Sequence, residues 1–317
     1  MFLHTSVELP DYPFRITCRD TLFWTGSCFA ANIGNIMKTL HFKCEVNPFG
    51  ALYNPLSILD SLNLLLPEHQ LTKDDLFEHG ELWSSFMFHS SFSDPDCSRA
   101  LEKMNRQLSV AARNLSNTQY IFITFGSAYA YRLKTSGATV GNCHKLPASH
   151  FTVARLAPTE IVDAYSELIT RIAKHLPYIR FVFTLSPVRH PKYGMHGNQL
   201  SKACLMLAVE QLTKLFPDRC FYFPAYEIVL DELRDYRFYD KDLCHVSETG
   251  IEYIKNKFIT SMISPQAHEI IREIDRLNLA RQHRPFHANT AAHAKFLANT
   301  NRKEAELKAK YPYLDWN

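Results

Sequence analysis

The chain has 317 residues, of which 46% are hydrophobic, 13% aromatic and 21% charged, and its net charge is +3. These values are typical of a packed globular protein and exclude a largely disordered chain. The small net charge gives no electrostatic reason to expect a nucleic-acid partner. No apolar stretch approaches the roughly 20 residues that a membrane-spanning helix needs, so we expect no membrane span.

The eight cysteines are spread along the chain without a CxxC pair or another close framework. Structural metal sites need ligands at short spacing, and we therefore expect no metal and no other cofactor. Cys44, Cys204 and Cys220 stand within apolar runs and are interpreted as small buried hydrophobes. The first residues lack the basic start and apolar segment of a secretory signal peptide, which leads us to expect a cytoplasmic protein.

Apolar runs of strand length recur along the chain, and segments with helical periodicity lie between them. The runs are β-branched and aromatic with little alternation, which is typical of strands covered on both faces. Because parallel strands need crossover connections, this alternation predicts a mainly parallel α/β sheet with helices on both sides. Ligands bind at the carboxyl ends of such strands. The predicted strands are 21–25, 41–46, 119–126, 180–187 and 220–224.

Two segments do not fit the alternation of strands and helices. Residues 70–98 are interpreted as an insertion near the mouth of the site, with a hairpin as one form, and residues 127–157 as a long excursion. The aromatic and His content of these segments argues against disorder. Helical patterning continues from about residue 265. We expect a catalytic domain over 1–264 and a helical extension over 265–317, which either packs on the domain or mediates contact with a partner, including homo-oligomerisation.

The stretch "TLFWTGSCFA" (21–30) places Ser27 between the first predicted strand and the first helix. Backbone N–H groups and the helix dipole favour negative charge at such a junction. A serine hydroxyl needs a base to become nucleophilic, and Asp242 and His245 stand three residues apart in a loop after the last strand. There the carboxylate can bond one imidazole nitrogen and leave the other for the serine.

Each of these residues also has a simpler interpretation. Ser27 taken alone is more often a helix N-cap than a nucleophile. Cys28 is a rival nucleophile, which we interpret as an inward-facing packing residue because it begins the apolar face of the first helix. The joint placement of Ser27 after the first strand and of Asp242 and His245 after the last one favours a catalytic site.

Several motifs occur in order between about residues 20 and 265: "GSCFA", "NPFG" with "YNP", "SPVRH", "NQLSKA" and "DYRFYDKDLCHVS". Together they resemble the GSCFA family, which is regarded as a branch of the SGNH (GDSL-like) hydrolases. The resemblance implies a flavodoxin-like, three-layer, doubly wound fold and an esterase-type site. In that resemblance the serine nucleophile matches Ser27, and the terminal Asp-x-x-His matches Asp242 and His245.

The resemblance also implies an oxyanion hole made of the Ser27 N–H, a glycine N–H that matches Gly50, and an asparagine side chain. The sequence departs from this pattern in the third block. After the strand at 119–126 the expected Gly-x-Asn is absent, because residues 126–128 read Gly-Ser-Ala. Asn142, in the long excursion, is the nearest candidate to supply the side chain. The loss of one oxyanion donor typically costs about 10²–10³ in rate.

Polar residues on predicted loops near strand ends are candidates for substrate binding, each with a structural loop bond as the alternative. Arg189 is the best candidate for binding an anion, because a guanidinium can hold a carboxylate or phosphate with two hydrogen bonds. Asn198 is interpreted as the N-cap of the following helix. The substrate-binding candidates are His89, His144, Arg189 and His190.

These observations predict a serine esterase that acts on O-acyl esters, with carbohydrate O-acetyl esters as one candidate class. The substrate is then a small-molecule or carbohydrate ester. Two alternatives stay open. An O-acyltransferase would use the same triad, and a catalytically inactive protein would use the same cleft to bind a glycan or a protein.

Overall fold

A five-stranded parallel sheet forms the centre of the protein, in a computed structural model that describes residues 5–66, 69–287 and 289–316. All four strand pairings within this sheet are parallel. The strands of the described chain are, in order, β1 (Thr21–Gly26), β2 (Lys43–Val46), β3 (Phe77–His79), β4 (Leu82–Ser84), β5 (Tyr120–Phe125), β6 (Tyr129–Leu133), β7 (Thr139–Val140), β8 (Phe151–Arg155), β9 (Arg180–Leu185) and β10 (Cys220–Tyr222).

The central sheet has the spatial order β2-β1-β5-β9-β10. The chain adds β2 on one side of β1 and then crosses back to place β5 on the other side, so the winding direction reverses between β1 and β5. This is the flavodoxin-like order, and it confirms the predicted doubly wound α/β fold. The helices are α1 (Cys28–Thr39), α2 (Pro55–Asn63), α3 (Cys97–Ser116), α4 (Pro158–His175), α5 (Gly194–Leu215), α6 (Ala225–Glu227), α7 (Glu248–Met262), α8 (Pro265–Gln282) and α9 (Ala291–Lys310).

Helices cover both faces of the sheet, and two buried apolar clusters result. Successive side chains of a strand point to opposite faces. On β5, Ile121 and Ile123 therefore pack with α2–α5, whereas Tyr120 and Phe122 pack with α1 and α7–α9. The absence of polar alternation in these strands, noted in the sequence, follows from this burial on both sides.

The two segments that interrupt the alternation form small antiparallel sheets. Residues 70–98 contain the hairpin β3–β4, whose two-residue loop has positive φ at Gly80 (56°) and Glu81 (64°), as a type I′ turn requires. Residues 127–157 contain a three-stranded sheet with the order β7-β6-β8. The three-stranded sheet lines a pocket next to the Ser27 cleft through Tyr129, Tyr131 and Val140.

The C-terminal helices contribute to the buried cluster on the α1 face. Ile274, Leu277 and Leu307 are at most 3% exposed and pack in the cluster that contains Trp24. The end of the chain is tied to α1 as well, because the Asp315 N–H donates to the His41 carbonyl over 2.8 Å. No helix within the described residues is both long and apolar enough to cross a membrane.

Helix α5 begins at Gly194, four residues before Asn198, so the prediction that Asn198 caps this helix is wrong. Gly194 adopts a φ of 71°, which turns the chain into the helix earlier than the sequence pattern indicates. Asn198 is buried, and its Oδ1 accepts from the backbone N–H of His190 over 3.0 Å. The residue therefore fastens the loop before the helix rather than the helix start.

Candidate active site

The turn between β1 and α1 depends on glycine at position 26. Gly26 has a φ of 129°, and a Cβ at this position would lie 2.2 Å from the carbonyl oxygen of Thr124 on the neighbouring strand. No residue with a side chain fits there. The close approach brings Ser27 to the carboxyl edge of the sheet, at the point where the winding reverses and where α/β folds bind ligands.

The Ser27 hydroxyl lies at the N-cap position of α1 but makes no capping hydrogen bond. Ser27 is only 1% exposed, and its Oγ has no hydrogen-bond partner among the described residues. A buried hydroxyl without a partner costs free energy, and such groups occur where a ligand or reactant completes the bonding. The geometry therefore argues against the interpretation of Ser27 as a simple helix cap.

Asp242 and His245 are joined by two kinds of contact. Asp242 Oδ2 lies 2.5 Å from His245 Nδ1, and Oδ1 accepts the backbone N–H groups of Cys244 and His245, each at 2.9 Å. The backbone bond from His245 and its imidazole lower the pKa of Asp242 to about 2. The Asp242 carboxylate is thus ionised and bonded to Nδ1 of His245, whereas Nε2 of the same ring does not contact this carboxylate.

Ser27, Asp242 and His245 line one cleft of about 620 Å³. The Asp242 and His245 side chains are each about half exposed, so solvent reaches the pair. The serine and the histidine are not hydrogen-bonded to each other here, because Ser27 Oγ has no partner. In enzymes without substrate such bonds are often long and close only in the complex.

Cys28 lines the same cleft as Ser27 and is only partly buried, so the interpretation that its side chain turns inward is wrong. At the first position of α1 its side chain leaves the apolar stripe, which Phe29 and Ile33 occupy instead. Burial is the largest influence on the thiol and raises its pKa. A raised pKa lowers the thiolate fraction and disfavours Cys28 as the nucleophile.

Two of the three predicted oxyanion donors, the backbone N–H groups, have partners in this structure. The Ser27 N–H donates to the Thr124 carbonyl over 3.1 Å, and the Gly50 N–H donates to the Asn47 carbonyl over 2.8 Å. Asn142 Oδ1 accepts from the His144 N–H over 2.9 Å, and Asn142 lines a neighbouring pocket instead of the Ser27 cleft. The structure therefore does not bring these groups together around Ser27, and their role stays a prediction.

The predicted histidines at 89 and 144 belong to the insertion wall. His89 packs on Gly50, where an added Cβ would lie 2.2 Å from the His89 Cβ, and it lines the neighbouring pocket. His144 is buried, with Nε2 bonded to the Ser85 carbonyl at 2.8 Å and Nδ1 3.3 Å from Ser90 Oγ. It lines neither space, and burial lowers its pKa. The structure thus places His144 outside the lining of both spaces, and its role in substrate binding stays a prediction.

Arg189 and His190 lie on the loop after β9 and line the Ser27 cleft. The Arg189 N–H donates to the Cys244 carbonyl over 3.3 Å, which ties this loop to the one that carries His245. The Arg189 guanidinium makes no ion pair among the described residues and is a free cation at the cleft. Burial lowers the pKa of His190, and the cations Lys192 and Lys202 act in the same direction.

Lys202 is a residue of the site region that the sequence interpretation missed. Its side chain is fully buried, and Nζ donates to the carbonyl oxygens of Gly126 at 2.7 Å and Ser186 at 2.5 Å. These carbonyls directly follow β5, the neighbour of β1 in the sheet, and β9, the strand beyond it. Burial lowers the pKa of Lys202 to about 7. The position of this lysine in "NQLSKA", on the apolar face of the helix, could have indicated its role, because a lysine buried on such a face needs hydrogen-bond partners in the interior.

Within residues 5–66, 69–287 and 289–316, no group of three or more His, Cys, Asp or Glu side chains is placed to hold a metal ion. The residues around Ser27 are instead a hydroxyl, an imidazole–carboxylate pair and the Arg189 cation. This donor set suits acyl-group chemistry and anion binding.

A parallel doubly wound sheet with a candidate serine site at its switch point defines the class of this protein as a three-layer α/β protein. A family model described as the GSCFA family matches residues 21–258, and a second one, described as the GSCFA domain protein, C-terminal domain, matches residues 274–317. The chain belongs to the GSCFA family. None of the curated proteins searched matches the chain.

Proposed function

We propose that this protein is a serine esterase that acts on O-acyl esters, carbohydrate O-acetyl esters among them. The observation that carries the proposal is the Ser27 hydroxyl, which is buried, lacks a hydrogen-bond partner among the described residues and lines one cleft with the hydrogen-bonded Asp242 and His245. Membership of the GSCFA family is consistent with this assignment and does not establish an activity.

In the proposed reaction Ser27 Oγ forms a bond to the acyl carbon while its proton passes to His245 Nε2. Asp242, bonded to Nδ1, stabilises the imidazolium that forms. The bond between the acyl carbon and the alcohol oxygen then breaks, and the alcohol leaves with the proton from His245. Water, deprotonated by His245, attacks the acyl-serine and releases the acid together with free Ser27.

The developing oxyanion needs donors close to Ser27. We propose the Ser27 and Gly50 N–H groups with the Asn142 side-chain amide for this role, which requires the two backbone N–H groups to exchange their present partners when substrate binds. The N-terminal end of α1, a helix of 12 residues, adds a favourable dipole at the same point. The charge of Lys202 behind the ends of β5 and β9 has the same sign as this end of the dipole.

A fluorophosphonate probe tests the proposal directly, because it reacts covalently with activated serines. We expect one adduct, at Ser27 by peptide mass spectrometry, and none in Ser27→Ala. Turnover of p-nitrophenyl acetate by the intact chain and not by Ser27→Ala supports an esterase. Equal turnover by both proteins contradicts the proposal.

A transferase would use the same residues, so the acyl acceptor has to be determined separately. Adding a sugar or another alcohol to the esterase assay shows whether the acyl group is transferred or hydrolysed. Rapid transfer to the alcohol with little free acid favours an O-acyltransferase.

The occupied oxyanion amides and the missing Gly-x-Asn favour one further candidate, a protein that binds a glycan or a protein without turnover. Absence of both probe labelling and esterase activity, with retained binding of a ligand in the cleft, supports this candidate. We also propose a cytoplasmic location, with which the eight unpaired cysteines are consistent because disulfides are rare in reducing compartments.

A further inference from the structure

A second pocket, of about 460 Å³, adjoins the Ser27 cleft and shares Tyr53, Ser127 and His190 with it. Ligand pockets in proteins typically measure about 300–1,000 Å³. Because the two spaces share part of their lining, they lie side by side. The second pocket is therefore placed to hold the part of a substrate that does not react.

Tyrosines form the wall of this pocket. The rings of Tyr129 and Tyr193 stack with centroids 4.0 Å apart, and the hydroxyls of Tyr131 and Tyr193 lie 2.7 Å from each other. Tyr129 and Tyr131 lie on β6, whereas Tyr193 lies in the loop between β9 and α5, so the small sheet and this loop build the wall together. Tyrosine combines a flat apolar face with a hydroxyl at its edge, which suits a ring that carries hydroxyl groups.

The charge in the pocket is positive. Lys192 Nζ donates to the Tyr131 hydroxyl over 2.5 Å and lies 4.8 Å from the centroid of that ring. None of the described residues that line the pocket carries a carboxylate, and Lys192 makes no ion pair within the described chain. Arg189, three residues earlier on the same loop, is also without an ion-pair partner there. An unpaired lysine held by a tyrosine is well suited to bind an anionic group.

We propose that this pocket binds the alcohol part of the ester and that this part is a sugar bearing a carboxylate or a phosphate. The ring packs against the tyrosine wall, and Lys192 contacts the charged group. The statement that the ligand is the alcohol part of an ester rests on the proposed function, whereas the binding of an anionic sugar does not.

Binding of sugars without an ester group tests the inference independently of catalysis. We expect the intact wild-type chain to bind glucuronate or glucose 6-phosphate about tenfold or more tightly than glucose by isothermal titration calorimetry, since a charge-assisted hydrogen bond to Lys192 is added. Preference for one of the two anionic sugars identifies the charged group. Equal affinity for all three sugars, or no binding of any, overturns the proposal.

Lys192→Met should remove the preference for the anionic sugar, and Lys192→Arg should restore it. Lys134→Met is the matched control, because Lys134 follows β6, is exposed and lines neither pocket. An unchanged preference in Lys192→Met, with folding confirmed by circular dichroism, overturns the assignment. Sugar binding without fluorophosphonate labelling of Ser27 supports the anionic-sugar inference and contradicts the esterase proposal. Labelling of Ser27 without sugar binding supports the esterase proposal and contradicts the anionic-sugar inference.

Discussion

The Nζ of Lys202 donates to the carbonyl oxygen of Gly126 over 2.7 Å from a fully buried position. Gly126 lies next to the nucleophile, because a Cβ at this position would lie 3.3 Å from the Ser27 Cβ. The Lys202 amine therefore fixes the backbone segment after β5 that borders Ser27. We regard Lys202 as a positioning residue, since it does not line the cleft.

The pKa of Lys202 makes its contribution to stability depend on pH. Its folded pKa of about 7 lies below the ordinary value of 10.5, so between these pH values the unfolded chain binds more protons than the native one. The stability of the wild type relative to Lys202→Met should therefore rise with pH in this window, by up to about 1.4 kcal/mol per pH unit. Urea unfolding at pH 6 to 9.5 measures this difference. Lys174→Met, an exposed control, should show no such trend, and a flat difference for Lys202→Met contradicts the interpretation.

The two adjacent candidate nucleophiles, Ser27 and Cys28, are separated by single substitutions. Ser27→Ala should reduce kcat for p-nitrophenyl acetate by about 10³-fold or more, because the acyl-enzyme cannot form. Cys28→Ala should retain activity within about tenfold of wild type, since the thiol is protonated and lines the cleft without taking part. A loss confined to Cys28→Ala would assign the nucleophile to the thiol.

Asp242→Asn should lower kcat by about 10²–10⁴-fold, because an amide cannot hold the tautomer in which Nδ1 of His245 carries the proton. Asp240→Asn is the matched control, since Asp240 lies in the same loop and, within the described part of the chain, its side chain bonds only the neighbouring Lys241 N–H. With a pKa of about 2, the Asp242 carboxylate should stay ionised at every pH above about 3. A carboxyl titration near pH 4, followed by NMR, would contradict the assigned pairing with His245.

Gly50 is required by its contact with the insertion, independently of any role in catalysis. In Gly50→Ala, alanine would have to adopt a φ of 85°, and its Cβ would lie 2.2 Å from the His89 Cβ. We expect this strain and clash to lower the free energy of unfolding by about 3 kcal/mol or more. Gly137→Ala has a φ of 73° but no atom within 4 Å of the added Cβ, so it should cost only about 1–2 kcal/mol. Equal losses in chemical denaturation would show that the His89 contact yields without cost.

The C-terminal helices should stabilise the domain on which they pack. Leu307→Ala removes a fully buried side chain and should cost about 2–5 kcal/mol, whereas Leu297→Ala on the same helix, 46% exposed, should cost about 0.5 kcal/mol or less. Thermal unfolding of both variants checks this. If the two variants unfold alike, α9 is more weakly attached than its burial indicates, and light scattering then shows whether a second copy of the chain covers it.

Much of the fold follows from local patterns. The five predicted strands of the central sheet correspond to observed strands, because unbroken β-branched and aromatic runs are required wherever helices cover both faces. The predicted start of α5 at Asn198 lies four residues after the observed start at Gly194, since a glycine with positive φ leaves no signal in hydrophobic periodicity. The prediction for Cys28 failed for a related reason, because a residue in the first turn of a helix is not bound to the apolar stripe.

The sequence by itself determined the parallel sheet, the junction that carries Ser27 and the pairing of Asp242 with His245, which depends on residues three apart in one loop. Only the tertiary structure decided the rest. In the tertiary structure the Ser27 and Gly50 N–H groups donate to carbonyl oxygens of other segments, and Lys202 is buried next to Gly126. The rings of Tyr129 and Tyr193 stack in a pocket beside Ser27. The physical reason is that periodicity records which face of an element is covered, whereas the partner of each polar group depends on segments that are distant in the chain.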